Sequence, residues 1–324
     1  MIGWIIFLVA SLAALAYYFF NKDKFEIEPV LKLDFKKSKI KFLQKIDIPI
    51  IYAIMWKTKI GIKFCDTIVA KYNKLTKFWK WPVAVAGYFI MFGALLSFIF
   101  IIWLNIQKVL ASQQIVAAVA LVLPIQLNTQ YVYFIPFFYW MTTIFFVALI
   151  HEFGHAVFCR ACGIEIENTG LAIMAIGIPI MPAAYVKPKE DQLKAAKTSD
   201  QIWIYAAGSV FNVVSSAFFI VLLLGLVIIA KWTGLPYELP IVSGPFLWPQ
   251  LMNLVFYLYA FSLGVGLMNL MPIVPLDGGL MIKAQFDDAK VNKPHAWKWA
   301  TAVGLALIVL SAALPSIMKL FIKA

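Results

Sequence analysis

The sequence predicts an all-α polytopic membrane protein with about six transmembrane helices and a small re-entrant, membrane-embedded β element. Three observations carry that expectation. The 324-residue chain is 63% hydrophobic and 14% charged, with a mean hydropathy of +0.85, well outside the range of water-soluble domains. Several stretches reach the roughly 20 apolar residues that a bilayer core demands. The basic residues are also unevenly spread, with 24 of the 28 lying in segments 21–80, 159–200 and 271–298.

Taken in order, residues 2–20 form the first candidate span. They carry no charge, run long for a signal peptide, lack a basic leader, and read as a retained anchor. Residues 21–80 hold 15 lysines among regularly placed Ile, Phe and Trp, the pattern of an amphipathic region lying on the membrane. A second span is expected over 82–104. Val109 to Leu127 is apolar enough to cross, but a crossing there would divide the basic residues 18 to 10 between the two sides. With Pro124 and Asn128-Thr129 as a break, it is expected to be partly embedded and non-crossing. Further spans are expected at 134–158, 202–230, 251–271 and 299–322. These spans put the three lysine-rich segments on one side, the cytoplasmic one. The net charge of +12 therefore reads as topology and attraction to anionic inner-leaflet lipids of the bilayer. No soluble domain is evident to carry nucleic-acid binding, and three cysteines without regular spacing give no disulfide framework.

Inside span 134–158 lies His151-Glu152-Phe153-Gly154-His155. On a helix, H-E-x-x-H places two imidazoles one turn apart on one face, where both can grip one zinc ion. The glutamate then sits where it can take a proton from zinc-bound water. Such groups are costly at membrane depth and mark a functional site by default. A catalytic zinc usually has three protein ligands. The remaining histidine, His295, falls in a basic loop and reads as a solvated or interfacial imidazole. Asp277 is the stronger candidate, because it follows an apolar helix and two prolines that free backbone groups and line a cavity; a helix-capping aspartate is the alternative. Asp277 reaches the depth of His155 only if Gly163 to Val186 does not cross. Alternating Ile and Glu, with a turn at Asn168-Thr169-Gly170, predict strand and hairpin there. Cys159-x-x-Cys162 reads as two small thiols at a helix end. Lys187, Lys189, Glu190, Asp191 and Lys194 are candidates to border a polar mouth, or are plain surface charge.

With Gly208-x-x-x-Asn212 and Asn269-x-x-Pro272-x-x-x-Leu276-Asp277-Gly278, the H-E-x-x-H string resembles the site-2 protease family, intramembrane zinc metalloproteases that cut membrane-anchored proteins. The resemblance covers roughly residues 134–280. It implies one zinc ion per chain held by His151, His155 and Asp277, with Glu152 as general base. It implies that Asn212 lines the site and helps hold substrate or the developing oxyanion, a buried amide binding a neighbouring helix being the alternative; for Asn269 the structural role is favoured. It further implies a single-span membrane protein as substrate, received by the edge of an embedded sheet at 163–186. Three blocks follow: 1–133, N-terminal membrane helices with the lysine-rich cytoplasmic segment 21–80; 134–280, the catalytic core; and 281–324, a C-terminal amphipathic segment and last span. Two readings from other classes compete: a catalytically silent adaptor that binds membrane helices, and a metal transporter. Intact Glu152 argues against the first, and polar groups gathered at one depth argue against the second.

Overall fold

The computed structural model describes residues 24–34, 47–111, 121–124, 132–176, 178–237, 247–288, 291 and 295–322. The expected span 2–20 and the Asn128-Thr129 break lie outside them. Strands β1 (Phe25–Asp34) and β2 (Asp47–Trp56) come first, followed by helices α1 (Ile62–Lys71) and α2 (Asn73–Leu110). A short parallel pair, β3 (Leu121–Leu123) and β4 (Val132–Phe134), precedes α3 (Phe137–Ala161). The chain then runs through β5 (Ile166–Ile176), β6 (Ile178–Pro188), α4 (Glu190–Ala195), α5 (Thr198–Thr233), α6 (Leu247–Asn269), α7 (Asp277–Asp287) and α8 (Trp297–Ile322).

Among the described residues, four helices are long and apolar enough to cross a membrane: α2, α3, α5 and α6. They contain or overlap the expected spans 82–104, 134–158, 202–230 and 251–271. The expected span 299–322 falls on α8, which contributes a shorter apolar stretch, Trp297–Ser311. The described structure thus supports four crossings where the sequence led us to expect about six. Pro136 caps the start of α3, and Gly234 ends α5 in the left-handed conformation with φ +70°, a helix stop that glycine adopts without strain.

The helix ends are tied together at one end of the bundle. Lys80 of α2 lies 3.6 Å from Asp200 of α5, and Arg160 at the end of α3 pairs with Asp66 of α1. The Thr198 hydroxyl donates to Asp288 over 2.6 Å. These residues belong to the three lysine-rich segments expected to share a side.

The β structure is larger than expected. Strands β1-β2-β5-β6 form one antiparallel sheet in that order. Region 21–80 therefore supplies two strands and a helix in addition to any membrane-lying surface. Residues Tyr52–Met55 of β2 pair with Ala172–Ala175 of β5, so β5 is flanked on both sides and the sheet edges are β1 and β6. The 163–186 hairpin forms, but its reversal lies between the paired Ile176 and Ile178. Asn168-Thr169-Gly170 stay in strand because Thr169 bridges to Thr58 and pairs with Val186.

Helices α3 and α5 cross at small residues. Ala206, Ala207 and Ser209 are fully buried, and a Cβ on Gly154 would come within 2.8 Å of the Ala207 carbonyl oxygen. Close backbone approach through small residues is the usual means of packing membrane helices. Gly154→Ala is expected to lower the thermal midpoint in detergent, since overpacking costs about 1–3 kcal/mol. Gly225→Ala, whose Cβ would meet nothing within 4 Å, should hold or raise it. Equal midpoints for the two variants would refute this crossing.

Candidate metal centre

Two elements bring the three sequence-predicted ligands together. Helix α3 supplies His151 and His155, whose rings lie edge to face with centroids 4.7 Å apart. The first residue of α7 supplies Asp277, which arrives after the chain breaks at Pro272 and Pro275. His151 Nε2 lies 3.1 Å from His155 Nε2 and 3.2 Å from Asp277 Oδ2, and His155 Nε2 lies 3.4 Å from Asp277 Oδ1. His295 is exposed on its loop and takes no part. Cys159 is buried in the apolar core between α3 and its neighbours, also outside the group.

These three side chains fit one metal ion. His155 Nδ1 donates to the Ile204 carbonyl over 2.7 Å, so in the neutral ring Nε2 carries a lone pair. That lone pair faces a second imidazole nitrogen and a carboxylate, an arrangement of electron-rich atoms that a cation satisfies. Ligand atoms arranged tetrahedrally about 2.0–2.1 Å from one zinc ion lie roughly 3.4 Å from one another, close to the separations found here. Turning the other ring nitrogen to a carbonyl is the usual way to orient a metal-binding histidine.

Helix α5 frames the group. Its Gly208 leaves room for both rings, because a Cβ there would lie 2.4 Å from His155 Nε2 and 2.8 Å from His151 Nε2. Ser209 donates to Asp277 Oδ2 over 2.8 Å. The Asn212 amide is fully buried and lies 3.1 Å from His151 Nδ1, and its oxygen has no partner among the described residues. Asn269 reaches to 3.5 Å from His151 Nε2. Glu152 sits beside the group, its carboxylate accepting the Val186 N–H over 2.8 Å. Ser209 and the Val186 amide were not picked out from the sequence. A hydroxyl three residues before Asn212 in an apolar helix was the available signal for Ser209; nothing local marks a backbone amide.

Each lysine expected around a polar mouth pairs with a glutamate. Lys187 lies 2.8 Å from Glu26, Lys189 2.6 Å from Glu165, and Lys194 2.6 Å from Glu190. The hydrogen bond from Lys189 holds the Glu165 carboxyl below its ordinary range. Exposed pairs of this kind contribute little stability.

A family model for peptidase family M50 matches residues 139–311, just over half of the chain. No curated protein and no solved structure matches it.

The Gly208 cradle carries its own expectation. Gly208→Ala should fold, yet bind zinc at least about tenfold more weakly in a chelator competition, as displaced ligand geometry does elsewhere. Undiminished affinity would mean that the rings do not need the space α5 leaves them.

Proposed function

The chain belongs to the site-2 protease family, peptidase family M50, a family of membrane metallopeptidases, and from that premise we propose that it is a zinc-dependent intramembrane endopeptidase. Its substrates are the transmembrane segments of single-span proteins, cut near the cytoplasmic side. The observation that carries this reading is the convergence of His151 Nε2, His155 Nε2 and an Asp277 carboxylate within 3.4 Å, with Glu152 beside them. The four apolar helices support a protein embedded in the bilayer, and the lysine distribution supports the cytoplasmic placement of the site. The same lysines favour a membrane with anionic inner-leaflet lipids.

One zinc ion held by His151, His155 and Asp277 would act as a Lewis acid, acidifying a water molecule and polarising the scissile carbonyl. Glu152 accepts the proton of the attacking water and delivers it to the amine nitrogen as the C–N bond breaks. The Val186 N–H holds the Glu152 carboxylate in position for both transfers. Ser209 orients Asp277. Asn212 acts through His151: its Nδ2 lies 3.1 Å from Nδ1, and with the amide group turned over its oxygen accepts the Nδ1–H, fixing the tautomer that leaves Nε2 free. Its burial against the ring supports this positioning role over the oxyanion contact implied by family resemblance.

A substrate helix closes its own backbone hydrogen bonds, so cleavage requires local unwinding, and the freed groups then need partners. An exposed strand edge offers them. Because β5 is flanked on both sides, that role passes to β6, whose Val186 N–H already points at Glu152.

Two measurements test the assignment. Glu152→Gln should keep about one zinc per chain yet cleave a model single-span substrate about 100- to 10,000-fold more slowly, the usual contribution of a general base. Cleavage equal to that of the wild type would sink the mechanism. Asn212→Ala should weaken zinc affinity about 10- to 100-fold, as loss of a ligand-orienting partner does. Unchanged affinity with a slower turnover would return Asn212 to the oxyanion.

A further inference from the structure

An apolar crevice of about 460 Å³ opens beside Glu152. One wall comes from α3 and the β5–β6 hairpin, including Leu149, Phe153 and Leu171; the other comes from Trp56, Ile60 and Phe64. This second wall lies outside residues 139–311, which the family model matches. It is contributed by the lysine-rich region to which the sequence assigned no task.

The second wall is pinned in place. Thr58 and Thr169 exchange backbone hydrogen bonds of 2.9 and 3.0 Å. The Thr58 hydroxyl donates to the Thr169 carbonyl over 2.7 Å, and the Thr169 hydroxyl donates to the Ile60 carbonyl over 2.6 Å. The Tyr185 hydroxyl donates to the Trp56 carbonyl over 3.1 Å. At Gly170 the strands meet so closely that a Cβ would lie 2.0 Å from the Trp56 oxygen. The rim, by contrast, is open: Phe64 is 62% exposed although its ring stands 5.9 Å from that of Phe153.

We propose that this crevice is the subsite for a large apolar side chain of the substrate, next to the scissile bond, and that Trp56, Ile60 and Phe64 set its selectivity. The proposal rests on the protease reading above. Glu152 both lines the crevice and acts on the attacking water, so whatever fills the crevice lies beside the reacting bond. A lipid acyl chain would fill the apolar walls but offer no backbone groups to the β6 edge beside them. An unwound peptide supplies both: an apolar side chain for the walls and amide groups for Glu152 and the β6 edge. Clefts of about 300–1,000 Å³ enclose drug-sized ligands, so this one has room for a large apolar side chain with adjoining backbone.

The test uses the full-length protein in nanodiscs with synthetic single-span peptides of about 20 leucine and alanine residues, differing only by Ala or Phe at one central position. The wild type should prefer the Phe peptide, and Phe64→Ala and Ile60→Ala should each lower the Phe-over-Ala ratio of kcat/KM about tenfold, the scale of discrimination by an apolar pocket. In parallel, photoreactive p-benzoylphenylalanine replaces Phe64 in the Glu152→Gln background. It should cross-link to peptide residues flanking the bond that the wild type cuts, as located by mass spectrometry. An unchanged ratio in both variants, or cross-links to lipid alone, overturns the subsite. If the wild type cleaves neither peptide but cross-linking still maps to the peptide, the protease reading fails and the crevice stands as a peptide-binding site. No cleavage and no peptide cross-link removes both.

Discussion

The His155 imidazole bonded to the Ile204 carbonyl is the contact from which the rest of the site is organised. In a bundle surrounded by lipid, no water stands ready to satisfy a stray polar atom, so each such atom must be paired from within the protein. Helix α5 does this along one face. Ile204, Gly208, Ser209 and Asn212 recur at spacings of four, one and three, the rhythm of a single helical stripe. In turn they offer a carbonyl, an empty space, a hydroxyl and an amide. Between them they meet every member of the three-donor group, so α5 contributes none of the donors and yet orients all three.

The sheet extends that logic to the opposite side of Glu152. Strand β6 packs against α3 and spends its Val186 N–H on the glutamate, while β5 bonds to β2 on its far side. The N-terminal strands therefore brace the hairpin that frames the glutamate. The family-matched residues hold the whole three-donor group, and the preceding residues complete the surface next to it.

Much of this was legible in the sequence. Two histidines at helical spacing, a carboxylate after a proline-broken span and four long apolar runs led to the ligand group and to the helices that carry it. The sheet was only half legible. Alternating Ile and Glu in 164–167 marked the hairpin, but the Asn168-Thr169-Gly170 cluster looked like a turn because its bridging partner, Thr58, lies 111 residues away. The β2 run, Ile48 to Trp56, is short and apolar, and periodicity does not distinguish such a run from a helical one. Its lysine-rich surroundings then favoured an amphipathic region lying on the membrane. Asn212 was visible as a polar residue in an apolar span, but nothing local indicates that its amide meets an imidazole nitrogen.

The long sequence separations within these contacts have a bearing on biosynthesis. As the chain is made, β2 has only β1 for a partner until α2 and α3 have entered the bilayer and β5 has followed. The histidine pair is inserted with α3, well before α5 and α6, and Asp277 emerges only after both. During synthesis, therefore, the H-E-x-x-H helix is present without the Asp277 carboxylate, without the helix that orients its rings and without the completed sheet. On the protease reading proposed above, competence for hydrolysis is withheld until Asp277 is in place, so the order of residues alone keeps a half-made copy from attacking its neighbours.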